Sequence, residues 1–147
     1  MHRWDPIAPP MPGLVVPVRI DPAGVSGPTR AQSRGPRWRV TSPGRAVPSQ
    51  VSDALVEQRI VEAYAGGGER AVITGWASLR VQGGGLFDGL ARDGVTRLAV
   101  PMAANGGRIR SRDGIDVVED RIPPDDVVIV HGMRCARVER ALFDEMR

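Results

Sequence analysis

The chain has 147 residues, 41% of them hydrophobic, and its 20 basic residues are all arginine, which gives a formal net charge of +3. This length fits one domain with or without an extension. No apolar run approaches the roughly 20 residues of a membrane span, and prolines interrupt the N-terminus where a secretory signal would be continuously apolar. We therefore expect a cytoplasmic protein that does not enter a membrane. The single cysteine excludes an internal disulfide and a multi-cysteine zinc site, and the absence of lysine excludes a P-loop lysine, a Schiff base and a lysine-dependent nuclease motif.

The first 50 residues differ in composition from the rest. They contain ten of the 13 prolines, and seven arginines against two aspartates, whereas the remainder carries 13 arginines against 15 acidic residues. Because proline fixes φ and removes a backbone donor, we predict that residues 1–26 form an irregular or extended N-terminal segment. A short strand is expected at 14–20, confined to a sheet edge by Pro17.

Residues 27–50 are predicted to form a reduced winged-helix-like segment. The residues after Pro28, up to Arg34, permit one or two helical turns. Residues 38–41 and 45–47 lie on either side of Ser42-Pro43-Gly44 and are typical of a small β-hairpin or wing. A short basic helix followed by a hairpin has the order of elements of a winged helix, but the segment is too short for a complete one.

Residues 51–147 are predicted to form an α/β domain. Ser52 is a favourable N-cap, and Val56, Ile60 and Tyr64 repeat at the helical spacing, so we expect the ordered core to begin at Ser52. Further along, we predict strands at 71–73, 98–102, 115–118, 127–130 and 133–136, and helices at 74–81 and from about 137, where Val138, Ala141, Leu142 and Met146 form an apolar stripe. Alternating strands and helices favour a mixed α/β (α+β) sheet.

Two groups of residues resemble known chemical motifs. The run Gly83-Gly84-Gly85 has the composition of a phosphate loop, but it follows a predicted helix and no Gly-Lys-Ser/Thr is present, so we interpret it as a helix end. His131 and Cys135 are four residues apart on a strand–turn–strand segment, which need not place them on one face. We interpret them as a turn histidine and a buried structural cysteine.

Three acidic pairs could suggest a divalent-metal site: Glu119-Asp120, Asp125-Asp126 and Asp144-Glu145. Adjacent acids at strand ends and turns are normally solvated, and the last pair lies near Arg140 and Arg147, where salt bridges are sufficient. We therefore expect no catalytic residue, no bound metal and no cofactor.

The arginines of residues 27–50 are the best candidates for binding. Arg30 and Arg34 are one helical turn apart and share a face, and Arg37 and Arg39 alternate along the predicted strand, opposite Trp38. Arginine binds phosphate bidentately, so this set predicts contact with the phosphates of double-stranded DNA. A solvated basic segment is the alternative.

Several blocks of the sequence, in this order, resemble the AbiEi-type antitoxin-like proteins of actinobacteria. The blocks are Gly27-Pro28-Thr29-Arg30-Ala31-Gln32, Arg37-Trp38-Arg39-Val40-Thr41, Val56-Glu57-Gln58-Arg59-Ile60-Val61-Glu62, Ile73-Thr74-Gly75-Trp76-Ala77-Ser78-Leu79-Arg80, Leu86-Phe87-Asp88-Gly89 and Arg140-Ala141-Leu142-Phe143-Asp144-Glu145-Met146-Arg147. Together they extend over most of residues 27–147. Many relatives have a histidine near the end of the second helix, where this chain has Gln82.

The resemblance implies a non-enzymatic antitoxin or transcriptional regulator of a toxin–antitoxin system. Its N-terminal segment would bind its own operator DNA, and its C-terminal domain would counter a cognate toxin. Two alternatives remain open: the N-terminal remnant of a larger nuclease-like protein that lacks the catalytic domain, and a protein-interaction domain.

Overall fold

The computed structural model describes residues 13–147, so the prediction for the N-terminal segment falls within the described residues only from Gly13 onward. Residues 13–147 have a mixed α/β structure with two sheets and four α-helices. It divides into two compact units, which within the described residues are 13–66 and 67–147.

The unit of residues 13–66 is built on a three-stranded antiparallel sheet of order β1-β3-β2. Its elements in chain order are β1 (Val18–Arg19), α1 (Arg30–Ser33), β2 (Trp38–Ser42), β3 (Arg45–Pro48) and α2 (Val56–Ala65). The predicted hairpin is therefore confirmed, and so is the predicted position of the first strand at a sheet edge.

Two expectations are wrong: the residue at which α2 begins, and the position at which the ordered core begins. The helix begins three residues after the position expected from a Ser52 N-cap: Leu55 is the N-cap residue, and the Ser52 hydroxyl instead accepts from the N–H of Ala54. The ordered core also begins before Ser52, because Leu14 and Val47 are already buried. Helix α2 packs against β2 and so belongs to the same unit as the hairpin, and not, as predicted, to the domain formed by the residues that follow it.

The unit of residues 67–147 is built on a five-stranded mixed sheet of order β6-β5-β4-β8-β7, in which β4-β8 and β5-β6 are parallel. Its elements are β4 (Val72–Ile73), α3 (Gly75–Val81), β5 (Val100–Ala103), β6 (Ile115–Val118), a 3₁₀ turn (Pro124–Asp126), β7 (Val127–Val130), β8 (Met133–Ala136) and α4 (Val138–Glu145). The predicted mixed α/β sheet is confirmed.

Helix α3 is capped by the end of helix α4. Thr74 lies at the N-cap position, but its hydroxyl donates to Asp144 Oδ2 at 2.5 Å and does not cap the helix. The N–H of Trp76 in the first turn donates to Glu145 Oε2 at 2.9 Å. Glu145 of α4 thus satisfies a backbone donor at the N-terminus of α3, and Asp144 lies beside it, where negative charge is favourable.

The apolar stripe predicted on α4 is only partly buried. Ala141 is completely buried, whereas Val138 and Leu142 are 46% and 44% exposed and Met146 beyond the helix is 78% exposed. Among residues 13–147 there is no helix with the length and apolar character needed to cross a membrane.

Candidate nucleic-acid interface

The loop that follows β1 is organised by one carboxylate. Asp21 accepts hydrogen bonds from the N–H groups of Ala23, Val25 and Ser26 and from the Ser26 hydroxyl. Gly27 allows the loop to return close to β1, because a Cβ there would lie 2.0 Å from the carbonyl oxygen of Arg19. The chain between β1 and α1 is therefore held in one conformation by local contacts.

The hydrogen bonds from the Ser26 and Ala23 N–H groups hold the pKa of Asp21 at about 2, below its usual 3.8. Since the folded pKa is lowered, the carboxylate supports the loop above pH 3.8, and we expect this support to be lost as the pH falls toward 2. NMR titration of the Asp21 carboxyl carbon should give a midpoint near 2. In Asp21→Asn the pH dependence of the Ala23 and Ser26 amide resonances should disappear. A midpoint near 3.8 would show that these bonds are not made in solution.

Helix α1 begins with a capping box. The Thr29 hydroxyl accepts from the N–H of Gln32, and the Gln32 side chain accepts from the N–H of Thr29. The box fixes the start of a four-residue helix that would be marginal alone. Arg30 at its first position and Arg34 at its C-cap are both exposed and lie one turn apart, as predicted.

A groove of 590 Å³ lies beside α1. It is lined by residues 24–28, by Gln32 of α1 and by residues 35–38. Arg37 is exposed at this groove and Trp38 is half-buried in its wall. The structure thus brings Arg37 close to the helix that carries Arg30 and Arg34.

Arg39 has a different role from the other three. Its guanidinium donates to both carboxylate oxygens of Glu62 on α2, at 2.7 and 2.9 Å, and to the carbonyl of Val51 at 2.9 Å. The bond with Glu62 raises the pKa of Arg39 above its usual value. With its donors so engaged, Arg39 joins β2 to α2 inside the unit.

A pair of arginines that the sequence analysis did not single out lies on the same sheet. Arg19 on β1 and Arg45 on β3 are directly opposite each other across the antiparallel pair. Burial, and then the charge of Arg19, lower the pKa of Arg45. Like charges at such positions are destabilising unless something compensates them. Only the register between β1 and β3, which are distant in the sequence, reveals this pair.

The positive charge of the chain is concentrated in this unit. Residues 13–66 carry seven arginines and four acidic residues, whereas residues 67–147 carry twelve of each. Arg30, Arg34 and Arg37 have no carboxylate partner among the described residues. This unit therefore has the uncompensated charge that an anionic partner would neutralise.

The other candidate groups have structural roles. Cys135 is completely buried, burial raises its pKa to about 12, and His131 is exposed in the turn at positive φ, so the two do not form a reactive pair. Gln82 donates to the Ser78 hydroxyl and to the carbonyl of Ala136 and thereby holds the end of β8.

The predicted salt bridges of the last acidic pair are confirmed for Asp144, which contacts Arg140 and Arg147. Within residues 13–147 there is no group of three or more His, Cys, Asp or Glu residues that could hold a metal ion. Comparison with protein-family models, curated proteins and solved structures found no significant match for this chain.

Proposed function

We propose that this protein is a non-enzymatic, DNA-binding regulator of the antitoxin type, and that residues 13–66 contact the phosphates of double-stranded DNA, its own operator. The observation that supports this most is that Arg30, Arg34 and Arg37 are exposed and have no carboxylate partner among the described residues. A polyanion would neutralise these charges, and it would also compensate the repulsion between Arg19 and Arg45 on the sheet of the same unit.

The contact set is smaller than the sequence alone indicates. Arg30, Arg34 and Arg37 are exposed and carry the proposal, and Arg39 is left out because Glu62 occupies its donors. A capped helix followed by a hairpin supports the proposal of a reduced winged helix, in which the helix and the loop after it would contact phosphates. Arginine suits this task because its planar fork matches phosphate oxygens in pairs.

The test is fluorescence anisotropy with the upstream DNA of the gene and a scrambled duplex, at low and physiological salt. Specific binding should be roughly 10³-fold tighter than binding to the scrambled duplex. The triple variant Arg30→Gln, Arg34→Gln, Arg37→Gln should bind at least tenfold more weakly. Since each lost phosphate contact reduces the salt slope by about 0.9, its slope should fall by about 2 to 3.

The matched control is Arg92→Gln, which removes one exposed arginine from the other unit. Each single variant of the set should lower affinity more than this control does. An equal loss in the control would show that only net charge matters, and equal binding of both duplexes would contradict operator recognition.

Protein binding is the second candidate function, with a cognate toxin as the partner. It is favoured by the exposed apolar residues Val138, Leu142 and Met146, which follow one another at helical spacing. If the DNA experiment shows no specificity, this side of α4 is the surface to mutate first against a co-purifying partner.

A further inference from the structure

A second concentration of positive charge lies in residues 67–147, at the turn that follows β5. Residues 104–107 form this turn: Asn105 and Gly106 both have positive φ, 49° and 87°, and the N–H of Gly107 donates to the carbonyl of Ala104 at 2.9 Å. Asn-Gly is the preferred pair for two consecutive positions of this kind. The turn is thus a tight and well-defined element.

Two arginines distant in sequence meet at this turn. A Cβ added to Gly106 would lie 2.9 Å from Nη2 of Arg121 and 3.3 Å from Nη1 of Arg70. The two guanidinium nitrogens are therefore no farther apart than about 6 Å, the sum of these distances. Any side chain at position 106 would occupy the space between them, and glycine leaves it open.

Contacts of neighbouring residues place both arginines beside the turn. The Asn105 side chain accepts from the N–H of Ile122 and donates to its carbonyl, each at 2.9 Å, and this fixes Arg121 beside the turn. Strand β4 pairs antiparallel with β5, with Val72 opposite Ala103, so that Arg70, two residues before β4, lies near the turn that follows β5. The two arginines thus come together because of the β4–β5 register and the hydrogen bonds between Asn105 and Ile122.

The two charges have no internal partner. Within residues 13–147, neither Arg70 nor Arg121 makes an ion pair or a side-chain hydrogen bond. Asp120, the neighbour of Arg121, is instead engaged by Arg147 at 2.7 Å. Because water screens the repulsion between two exposed charges, the arrangement is tolerated without a ligand, and an anion placed between them would be attracted to both.

The two guanidinium groups lie close enough together for one oxyanion to bridge them. Two charge-assisted N–H···O bonds of about 2.8 Å to one oxygen span about 5.6 Å. Further positive charge lies on the same loop: Arg108 and Arg110 are exposed, and Ile109 between them contacts Gly68, two residues before Arg70.

We infer that Arg70 and Arg121 form a phosphate-binding site over Gly106, with Arg108 and Arg110 at its margin. Its ligand is a phosphoryl group, from either a free phosphate or the phosphodiester chain of a nucleic acid. The site lies in residues 67–147 and does not depend on the DNA-binding set of residues 13–66.

The test is isothermal titration calorimetry of the full chain at low ionic strength, with pyrophosphate and with a short oligothymidylate as separate probes. Saturable binding of pyrophosphate would support a site for a free phosphate, and binding of the oligothymidylate alone would support a phosphodiester ligand. In either case, Arg70→Gln and Arg121→Gln should each weaken binding at least tenfold.

Arg92→Gln removes the same charge from another exposed position of this unit and should leave binding unchanged. The triple variant of Arg30, Arg34 and Arg37 should retain pyrophosphate binding, so failure of this site and failure of the proposed function can be distinguished. The inference is overturned if neither probe binds, or if Arg92→Gln weakens binding as much as Arg70→Gln does.

Discussion

Replacing Asp144 by alanine is expected to lower the free energy of unfolding of residues 67–147 by about 3 kcal/mol, because it leaves buried polar partners without their acceptor. The Asp144 side chain is only 3% exposed. It accepts from the Thr74 hydroxyl at 2.5 Å and from Arg140 Nε at 3.2 Å, and Arg140 is itself 17% exposed. Loss of the carboxylate would leave Thr74, which is completely buried, without this bond.

Urea unfolding gives the size of this effect, and hydrogen exchange read by peptide assigns it to one unit. Protection should fall in α3 and α4 and be retained in residues 13–66. The control is Glu139→Ala, which removes an acid of the same helix that is 80% exposed and lies 3.9 Å from Arg137. Its effect should stay within about 0.5 kcal/mol. A loss below about 1 kcal/mol for Asp144→Ala would show that the carboxylate is not an important part of this fold.

The second large effect is expected for Arg39→Gln, which should destabilise residues 13–66 by about 2 kcal/mol, since it breaks a bidentate ion pair with a mostly buried acid. The side chains of Arg39 and Glu62 are 30% and 10% exposed. After the substitution, Glu62 would retain its bond from Gln58 at 2.9 Å but would lose its only counter-ion among the described residues. The partial exposure of Arg39 keeps the effect below that of a fully buried pair.

A double-mutant cycle with Glu62→Gln isolates this interaction. The coupling energy should be about 1 to 2 kcal/mol, because the two residues are in direct contact. Under conditions in which the variant remains folded, Arg39→Gln should bind DNA as the wild type does, in contrast to Arg37→Gln. If a folded Arg39→Gln variant bound DNA more weakly than the wild type does, this would indicate that Arg39 also contacts DNA.

Local patterns in the sequence were sufficient to predict most of the helices and strands. The turn residues Ser42-Pro43-Gly44 predicted the hairpin, and the spacing of Val56, Ile60 and Tyr64 predicted α2. The start of α2 was misplaced because Ser52 accepts its hydrogen bond within a turn before the helix, and the sequence does not distinguish this use of serine from an N-cap.

The candidate site was harder to predict from the sequence than the fold was. Contacts between residues distant in the chain determine which arginines are paired and which are not. Arg37 and Arg39 have the same chemistry and neighbouring positions, yet a carboxylate 23 residues later engages only Arg39. Arg19 and Arg45 face each other through strand register, and Arg70 and Arg121 meet at a turn that lies between them in the chain. Spacing along the sequence carries no information about such pairs.

The capping of α3 by α4 has a consequence for the order of folding. The bonds from Thr74 and Trp76 join residues 70 and 69 positions apart, so they close only after the chain between them has been ordered. Contacts of such long range slow folding, because the entropy of the intervening loop is lost first. During synthesis, α3 therefore emerges with an unsatisfied N-terminus. Residues 67–147 complete their folding only when α4 has left the ribosome.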